Sequence, residues 1–380
     1  MSTDDPALKP GTALAGFQIQ RALGAGGFGI TYLAKDLKNG RPYALKEFFP
    51  IEICHRGKAE AVSVVRGKST AFERGLDAFF EEARLLRQLP KTAGLLSVRG
   101  LFKKNGTAYV VSEFIDGGAV SDQLTRFFAQ DQKIPEHLIR EFLEAMTNAL
   151  ATVHEQGLIH RDIKPDNIMV RKSDRQPVLI DFGASKYIVS DNTGHAIYTP
   201  NFAAIEQFPP SAGGPDARLR EGPWTDIYSL SLVAYVMMTA RRVPRSDRRY
   251  AAIKAGQPDP YVPLVQSAQD TYSADLCEMI DLGCALMPDD RPADARSFFN
   301  MLVNNDVTKT VAFQEHSYFG RADDVSARDA AIARQPQEKV RPKQGYSDKK
   351  PWANYWLVLI LLAAVAGVTA LGVYVLDVTI

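Results

Sequence analysis

The apolar positions along this chain change period after Gly118. Before it, Phe17 to Leu23, Gly29 to Lys35 and Pro42 to Phe48 carry β-branched and aromatic residues between turn signals such as Asn39-Gly40, which predicts three strands. Over Ala71 to Leu89 the period lengthens: Phe79, Phe80, Ala83, Leu85, Leu86 and Leu89 recur at helical spacing. Two further strands flank Asn105-Gly106 and end at Glu113, so this half reads as a small, mostly antiparallel sheet with one helix. Beyond Gly118, Glu136 to Gln156 is amphipathic behind Pro135, and Asp226 to Ala240 is almost wholly apolar and must be buried. Leu276 to Met287 and Ala293 to Asn304 complete a helix-rich second half. The pattern is α+β, a small β-rich lobe over 17–115 joined to a larger helical lobe over 116–303, and the cleft between lobes is the expected ligand site.

The ends differ from this body. Residues 1–16 are a short polar extension with no basic stretch leading into an apolar one, so no cleaved signal peptide is expected. From 304 to 350 the chain is rich in charge and small polar residues and reads as a flexible juxtamembrane linker. No charged residue occurs between Lys350 and Asp377, and the run Trp356 to Leu376 is long enough to cross a hydrocarbon core of about 30 Å. A single transmembrane helix over 354–376 is therefore expected, with Trp352, Tyr355, Trp356 and Tyr374 at the interfaces. Arg341, Lys343, Lys349 and Lys350 precede the span and only 377–380 follow it, which puts the large N-terminal part in the cytoplasm, as for a protein of a bacterial inner membrane. Ala363 and Gly367 have the small-xxx-small spacing through which two such helices associate, so a homodimer is one expected partner state beside contact with membrane lipid.

Bulk composition narrows function only by exclusion. With 45 Lys+Arg against 44 Asp+Glu in 380 residues, the net charge of +1 makes no case for a nucleic-acid partner. The cysteines, Cys54, Cys277 and Cys284, form no CxxC pair and suit a reducing compartment; Cys277 and Cys284 fall in a helical pattern as small core residues.

The chemistry lies in four segments. Gly24-Ala25-Gly26-Gly27-Phe28-Gly29 follows Leu23 and matches GxGxxG, a pattern that lets backbone N–H groups approach phosphates. A strand follows it, Ile30 to Ala34, whereas a dinucleotide fold would need a helix there. Lys46 ends the apolar strand Tyr43-Ala44-Leu45, where an ammonium needs a partner; Glu82 on the first helix is the expected one, with Glu81 as the neighbouring alternative. In His160-Arg161-Asp162-Ile163-Lys164-Pro165-Asp166-Asn167, Asp162 can accept a hydroxyl proton, Lys164 can neutralise phosphoryl charge and Asn167 can bind a metal ion. Asp181-Phe182-Gly183 follows the apolar Val178 to Ile180 and offers a hard carboxylate to Mg²⁺.

In this order and spacing the segments resemble those of the eukaryotic-like (Hanks-type) protein kinases, bacterial members above all, over about Phe17 to Leu302. The resemblance implies a bilobal protein kinase fold, Mg-ATP as cosubstrate with Mn²⁺ as an alternative metal, and protein hydroxyls as acceptors. It assigns Leu23, Gly24, Gly26, Gly27 and Gly29 to the phosphate loop, Glu113 and Ile115 to the adenine hinge, Lys46 and Glu82 to an ion pair, and Asn167 and Asp181 to the metal. It makes Asp226 a support of the catalytic loop and pairs Arg291 with Glu206. Lys164 beside Asp162, with Thr199 in the segment before Glu206, is similar to the serine/threonine branch. Arg161 implies control by phosphorylation, because in such kinases this arginine pairs with a phosphate on the activation segment. Ser190, Thr193 and Thr199 are the candidate phosphorylation sites; Thr199 is expected to bond within the catalytic site, so Ser190 or Thr193 is the expected autophosphorylation site.

The chain also departs from the family pattern. Ala204-Ile205-Glu206 lacks the proline of its counterpart, Tyr198 stands where glycine is common, and Ser231 and Ala240 replace glycines in and after the buried helix. These departures predict altered packing of the activation segment with the chemistry retained. Ser112, just before the hinge, predicts an open back pocket beside the adenine. The competing reading is a membrane-tethered pseudokinase or nucleotide-binding scaffold; its usual signature, loss of Lys46, Asp162 or Asp181, is not found.

Overall fold

In the computed structural model, residues 6–182, 200–209, 213–215 and 219–304 are described. The first lobe is built on a six-stranded antiparallel sheet of order β1-β2-β3-β4-β8-β7. Its strands are β1 (Ala13–Leu14), β2 (Phe17–Gly26), β3 (Gly29–Asp36), β4 (Pro42–Phe48), β7 (Val98–Lys104) and β8 (Thr107–Glu113). Helix α1 (Ser69–Gln88) packs on it, burying Phe72, Phe79 and Ala83. The alternation of Ile30, Tyr32 and Ala34 puts one face of β3 in the core, as a period of two requires.

Two features of this lobe carry no clear mark in the sequence. Between β4 and α1 the chain forms a small hairpin, β5 (Cys54–Arg56) with β6 (Val62–Val64). The polar N-terminal extension is also no loose lead: Leu8 and Leu14 are buried among Ile19, Tyr32 and Phe49. Glu47, fully buried on β4, ties both features down. It accepts hydrogen bonds from Tyr32 Oη at 2.7 Å and Tyr109 Oη at 2.6 Å, and from both Arg56 terminal nitrogens at 2.7 and 2.6 Å. Arg56 in turn donates through Nε to the Pro6 carbonyl, and Leu8 N–H donates to Tyr32 Oη. A carboxylate at zero exposure is tolerated only when paired and saturated in this way.

The second lobe follows a three-stranded sheet of order β11-β10-β9, made of β9 (Gly117–Ala119), β10 (Ile168–Arg171) and β11 (Pro177–Leu179). Among the described residues its helices are α2 (Val120–Phe128), α3 (Glu136–His154), α4 (Pro223–Thr239), α5 (Ser246–Lys254), α6 (Leu264–Ser267), α7 (Ala274–Gly283) and α8 (Ala295–Asn304). The apolar run that had to be buried is α4, whose residues from Thr225 to Met238 are all buried at the centre of the lobe.

Two departures from glycine find their physical account here. Ser231 fits into α4 because Gly283 on α7 faces it: a Cβ at Gly283 would lie 2.0 Å from Ser231 Oγ. Ala240 caps α4 at φ 54°, the left-handed region where a methyl group costs about 1 kcal/mol relative to glycine. The three cysteines are free and buried, and burial pushes their thiols up, to about 12 for Cys54 and Cys284 and about 11 for Cys277. They are inert core residues.

Among the described residues no helix is long and apolar enough to cross a membrane. The expected span and its linker lie outside the described residues, as do Ser190, Thr193, Tyr198 and Thr199.

Candidate active site

The glycine loop is the turn of the β2–β3 hairpin, where Gly24 pairs with Thr31 and Gly26 with Gly29. Its glycines have different duties. A Cβ on Gly29 would meet the Glu47 carbonyl at 2.5 Å, so that glycine is needed for strand packing. Gly24 and Gly27 meet nothing within 4 Å, and Gly26 meets only the Gly29 carbonyl at 4.0 Å, which leaves the backbone open to a ligand. Leu23, at the entry to the loop, is 37% exposed.

Lys46 sits on β4 in register with Thr31 and Val110. Its Nζ lies 2.8 Å from Asp181 Oδ1, so the ion pair expected with Glu82 is made with Asp181 instead. Burial works to depress the Lys46 pKa. The Asp181 carboxylate, reinforced by the fields of Glu82 and Asp162, outweighs it and leaves the ammonium raised. Glu82 thus acts on Lys46 through its field. Glu81 is removed from the choice, since it faces solvent and pairs with Arg84 at 2.8 Å.

The catalytic segment converges on Asp162, which is 6% exposed. Asn167 Nδ2 donates to the Asp162 carbonyl at 2.8 Å and to its Oδ2 at 2.7 Å, and Lys164 Nζ lies 3.0 Å from the same oxygen. The arrangement holds the carboxylate in one orientation and uses the Asn167 amide nitrogen, not its oxygen, for that contact. Asp181 and Arg161 both adopt left-handed backbone, at φ 60° and 68°. Such residues persist only where their surroundings over-determine them.

For Arg161 the surroundings are explicit. Its N–H donates to Asp226 Oδ1 at 2.8 Å, its carbonyl accepts from Gln207 Nε2 at 2.9 Å, and its Nε donates to Glu221 Oε2 at 2.8 Å. Asp226, at the start of α4 and wholly buried, also accepts from His160 N–H at 2.7 Å and lies 3.0 Å from His154 Nε2. Burial raises its pKa, but the hydrogen bond and charge of His154 with the donors at His160 win, and the carboxyl is held below its ordinary value. The His160 and Phe182 rings meet at 4.4 Å between centroids with their planes tilted by 47°, and Phe182 closes an apolar cluster with Leu95, Ala149 and Val153.

Glu206 and Arg291 form a fully buried bidentate pair at 2.8 and 3.1 Å, with Thr225 Oγ1 donating to Glu206 and Arg291 donating to the Ala285 and Leu286 carbonyls. Gln207 stands directly after Glu206 in the motif that lacks proline; its Oε1 accepts from Ala204 N–H and its Nε2 reaches the Arg161 carbonyl. Neither Gln207 nor Glu221 could be found by motif, because each acts through a contact distant in sequence.

At the hinge, Ile115 is buried. The Glu113 carboxylate accepts from Ser97 N–H at 3.0 Å and lies 3.7 Å from Arg171, so its side chain secures the hinge and leaves recognition to the backbone. Ser112 is buried beside β4, with Oγ 3.5 Å from the Ala44 carbonyl. Among the described residues no group of three His, Cys, Asp or Glu could cage a metal. One carboxylate, Asp181, with the Asn167 amide oxygen instead suits a hard cation that takes its other ligands from phosphate and water.

Residues 17–315 match the protein kinase domain. The chain therefore belongs to the protein kinase family, whose members use ATP with a divalent metal. It is 32% identical over 237 residues to the serine/threonine-protein kinase PknA of Nostoc sp., covering 60% of this chain and 37% of that relative. It is 28% identical over 349 residues to the serine/threonine-protein kinase Pkn1 of Myxococcus xanthus, covering 89% and 44%. The chain thus spans less than half the length of these two curated relatives. Among solved structures, the apo form of PpkA-294 matches with a TM-score of 0.67 at 34% identity, covering 78% of this chain and 100% of that one. The PknI kinase domain of Mycobacterium tuberculosis, at 21% identity and a TM-score of 0.56, shares the fold.

Proposed function

We propose that this chain is a serine/threonine protein kinase that transfers the γ-phosphoryl group of Mg-ATP to protein hydroxyls. The observation that carries the reading is the convergence of Lys164 and Asn167 on the Asp162 carboxylate, with Lys46 and Asp181 paired within reach of its field. ATP would supply the phosphoryl group, and Mg²⁺ would neutralise the charge that builds on it. Asp162, fixed through Oδ2, has the place to orient an acceptor hydroxyl and take its proton. Lys164 stands beside it to meet the negative charge of the transferring group. Asp181 and the Asn167 oxygen would hold the metal, and Lys46 the phosphates over which the open glycines lie.

The name serine/threonine-protein kinase carried by the relatives supports the acceptor class, as does Lys164 close after Asp162. The test is transfer of labelled γ-phosphate to the full chain and to a generic basic protein with Mg²⁺, comparing native protein with Asp162→Ala. Label that vanishes in the variant supports catalysis; equal label in both, or none in either despite ATP binding, refutes it. The hydropathy of Trp356 to Leu376 and the cations before it support a second reading, a single span at a membrane with the kinase domain on the cytoplasmic side. Release of the chain from membranes by alkaline carbonate would overturn that reading.

A further inference from the structure

Arg161, beside the catalytic aspartate, belongs to the type of kinase in which a phosphate on the activation segment completes the site. In this chain the guanidinium already meets an anion. Glu221, the last residue but one before α4, accepts from Arg161 Nε at 2.8 Å, and the two side chains are 22% and 30% exposed, shielded from bulk screening. Among the described residues Glu221 is the carboxylate on Arg161. It stands at the end of the Gly- and Pro-rich insertion that follows Glu206. The same arginine has its N–H on Asp226 and its carbonyl on Gln207, so the left-handed turn into Asp162 is fixed by three protein groups.

The geometry points to Glu221 as a positioning residue that supplies from the insertion the negative charge on Arg161, so that the catalytic loop is set without a phosphate on residues 183–199. The inference rests on the kinase reading for its activity readout and on charge complementarity for its structural one. A carboxylate offers Arg161 the same charge-assisted hydrogen bond as a phosphate oxygen, and being part of the chain it needs no prior modification. On this reading Arg161 needs no phosphate on Ser190 or Thr193 to hold the catalytic loop in place.

The test uses the full chain in detergent micelles, treated with a protein phosphatase and verified by intact mass. Native protein is expected to retain Asp162-dependent transfer after treatment. Glu221→Gln and Glu221→Ala are expected to lower kcat about 10- to 100-fold, the usual consequence of losing a charged hydrogen bond, with KM for ATP nearly unchanged. Glu221→Asp should restore part of the loss, and Arg161→Ala combined with Glu221→Ala should cost no more than the worse single change. Sulfate should raise the melting temperature of Glu221→Ala more than that of native protein, by filling the vacated anion position; this readout needs no turnover. The inference is overturned by a native enzyme that dies on phosphatase treatment and revives on incubation with ATP, by a Glu221→Gln enzyme of native kcat, or by sulfate that stabilises both proteins alike. Absence of Asp162-dependent transfer even before phosphatase treatment would refute the kinase reading, and the sulfate comparison would still decide whether Glu221 occupies Arg161.

Discussion

Replacing Asp226 with asparagine exchanges one carboxylate oxygen for an amino group at the start of α4. In the native protein Oδ1 accepts from Arg161 N–H at 2.8 Å, while Oδ2 accepts from His160 N–H at 2.7 Å and meets His154 Nε2 at 3.0 Å. An asparagine has one acceptor to offer. Whichever way its amide turns, one of the two backbone N–H groups faces another donor in a site with no exposure. An orphaned buried donor costs about 1–3 kcal/mol, and loss of the charge from the remaining bonds about as much again, so the expected destabilisation is about 3–5 kcal/mol. That is a large share of the roughly 5–15 kcal/mol that holds a typical domain together. Urea unfolding followed by circular dichroism should show a lower midpoint at unchanged slope.

The difference should also depend on pH with a defined sign. The Asp226 carboxyl titrates lower in the folded protein than in the unfolded chain, so its contribution is complete above the unfolded value of about 3.9 and fades as pH falls toward the folded value. Native protein and variant should therefore converge only in strong acid. A loss below about 1 kcal/mol at neutral pH, the size of an ordinary surface change, would refute the reasoning that Asp226 holds the catalytic loop.

Other consequences can be measured separately. Gly29→Ala should lower stability, because its methyl group would sit 2.5 Å from the Glu47 carbonyl, whereas Gly24→Ala, facing open space, should leave the melting temperature unchanged and raise KM for ATP. Ser112→Phe should abolish any use of a bulky N6-substituted ATP while sparing ATP itself; equal use by native and variant protein would count against an open back pocket. Arg291→Ala should cost about 3–5 kcal/mol, since it strands Glu206 at zero exposure, and Arg291→Lys should recover little because one ammonium cannot reproduce two parallel bonds.

What was legible in the sequence was whatever depends on local spacing. The strands around the glycine loop, α1, α3 and α4 follow from their periods, and the catalytic residues from short motifs whose parts meet because turns bring them together. Contacts between distant segments were not legible in that way. Glu82 was the natural partner of Lys46 by family pattern, yet the acid that reaches its ammonium is Asp181, a choice set by the relative placement of sheet and helix. Ser231 stood out as a departure, but its accommodation depends on Gly283 across the interface between α4 and α7, which no window along the chain contains. The polar extension hid Leu8 and Leu14 because two isolated apolar residues carry no period, and the β5–β6 hairpin strands are too short to show one.

The buried network around Glu47 sets the limits of the folding unit. The family match begins at residue 17, but Leu8, Leu14 and the Pro6 carbonyl that receives Arg56 lie before it. A fragment cut at the family boundary would bare the Tyr32 and Phe49 side of the sheet and take one acceptor from Arg56, whose carboxylate partner Glu47 stands next to Lys46 on β4. For this kinase domain the evolutionary edge and the thermodynamic edge do not coincide.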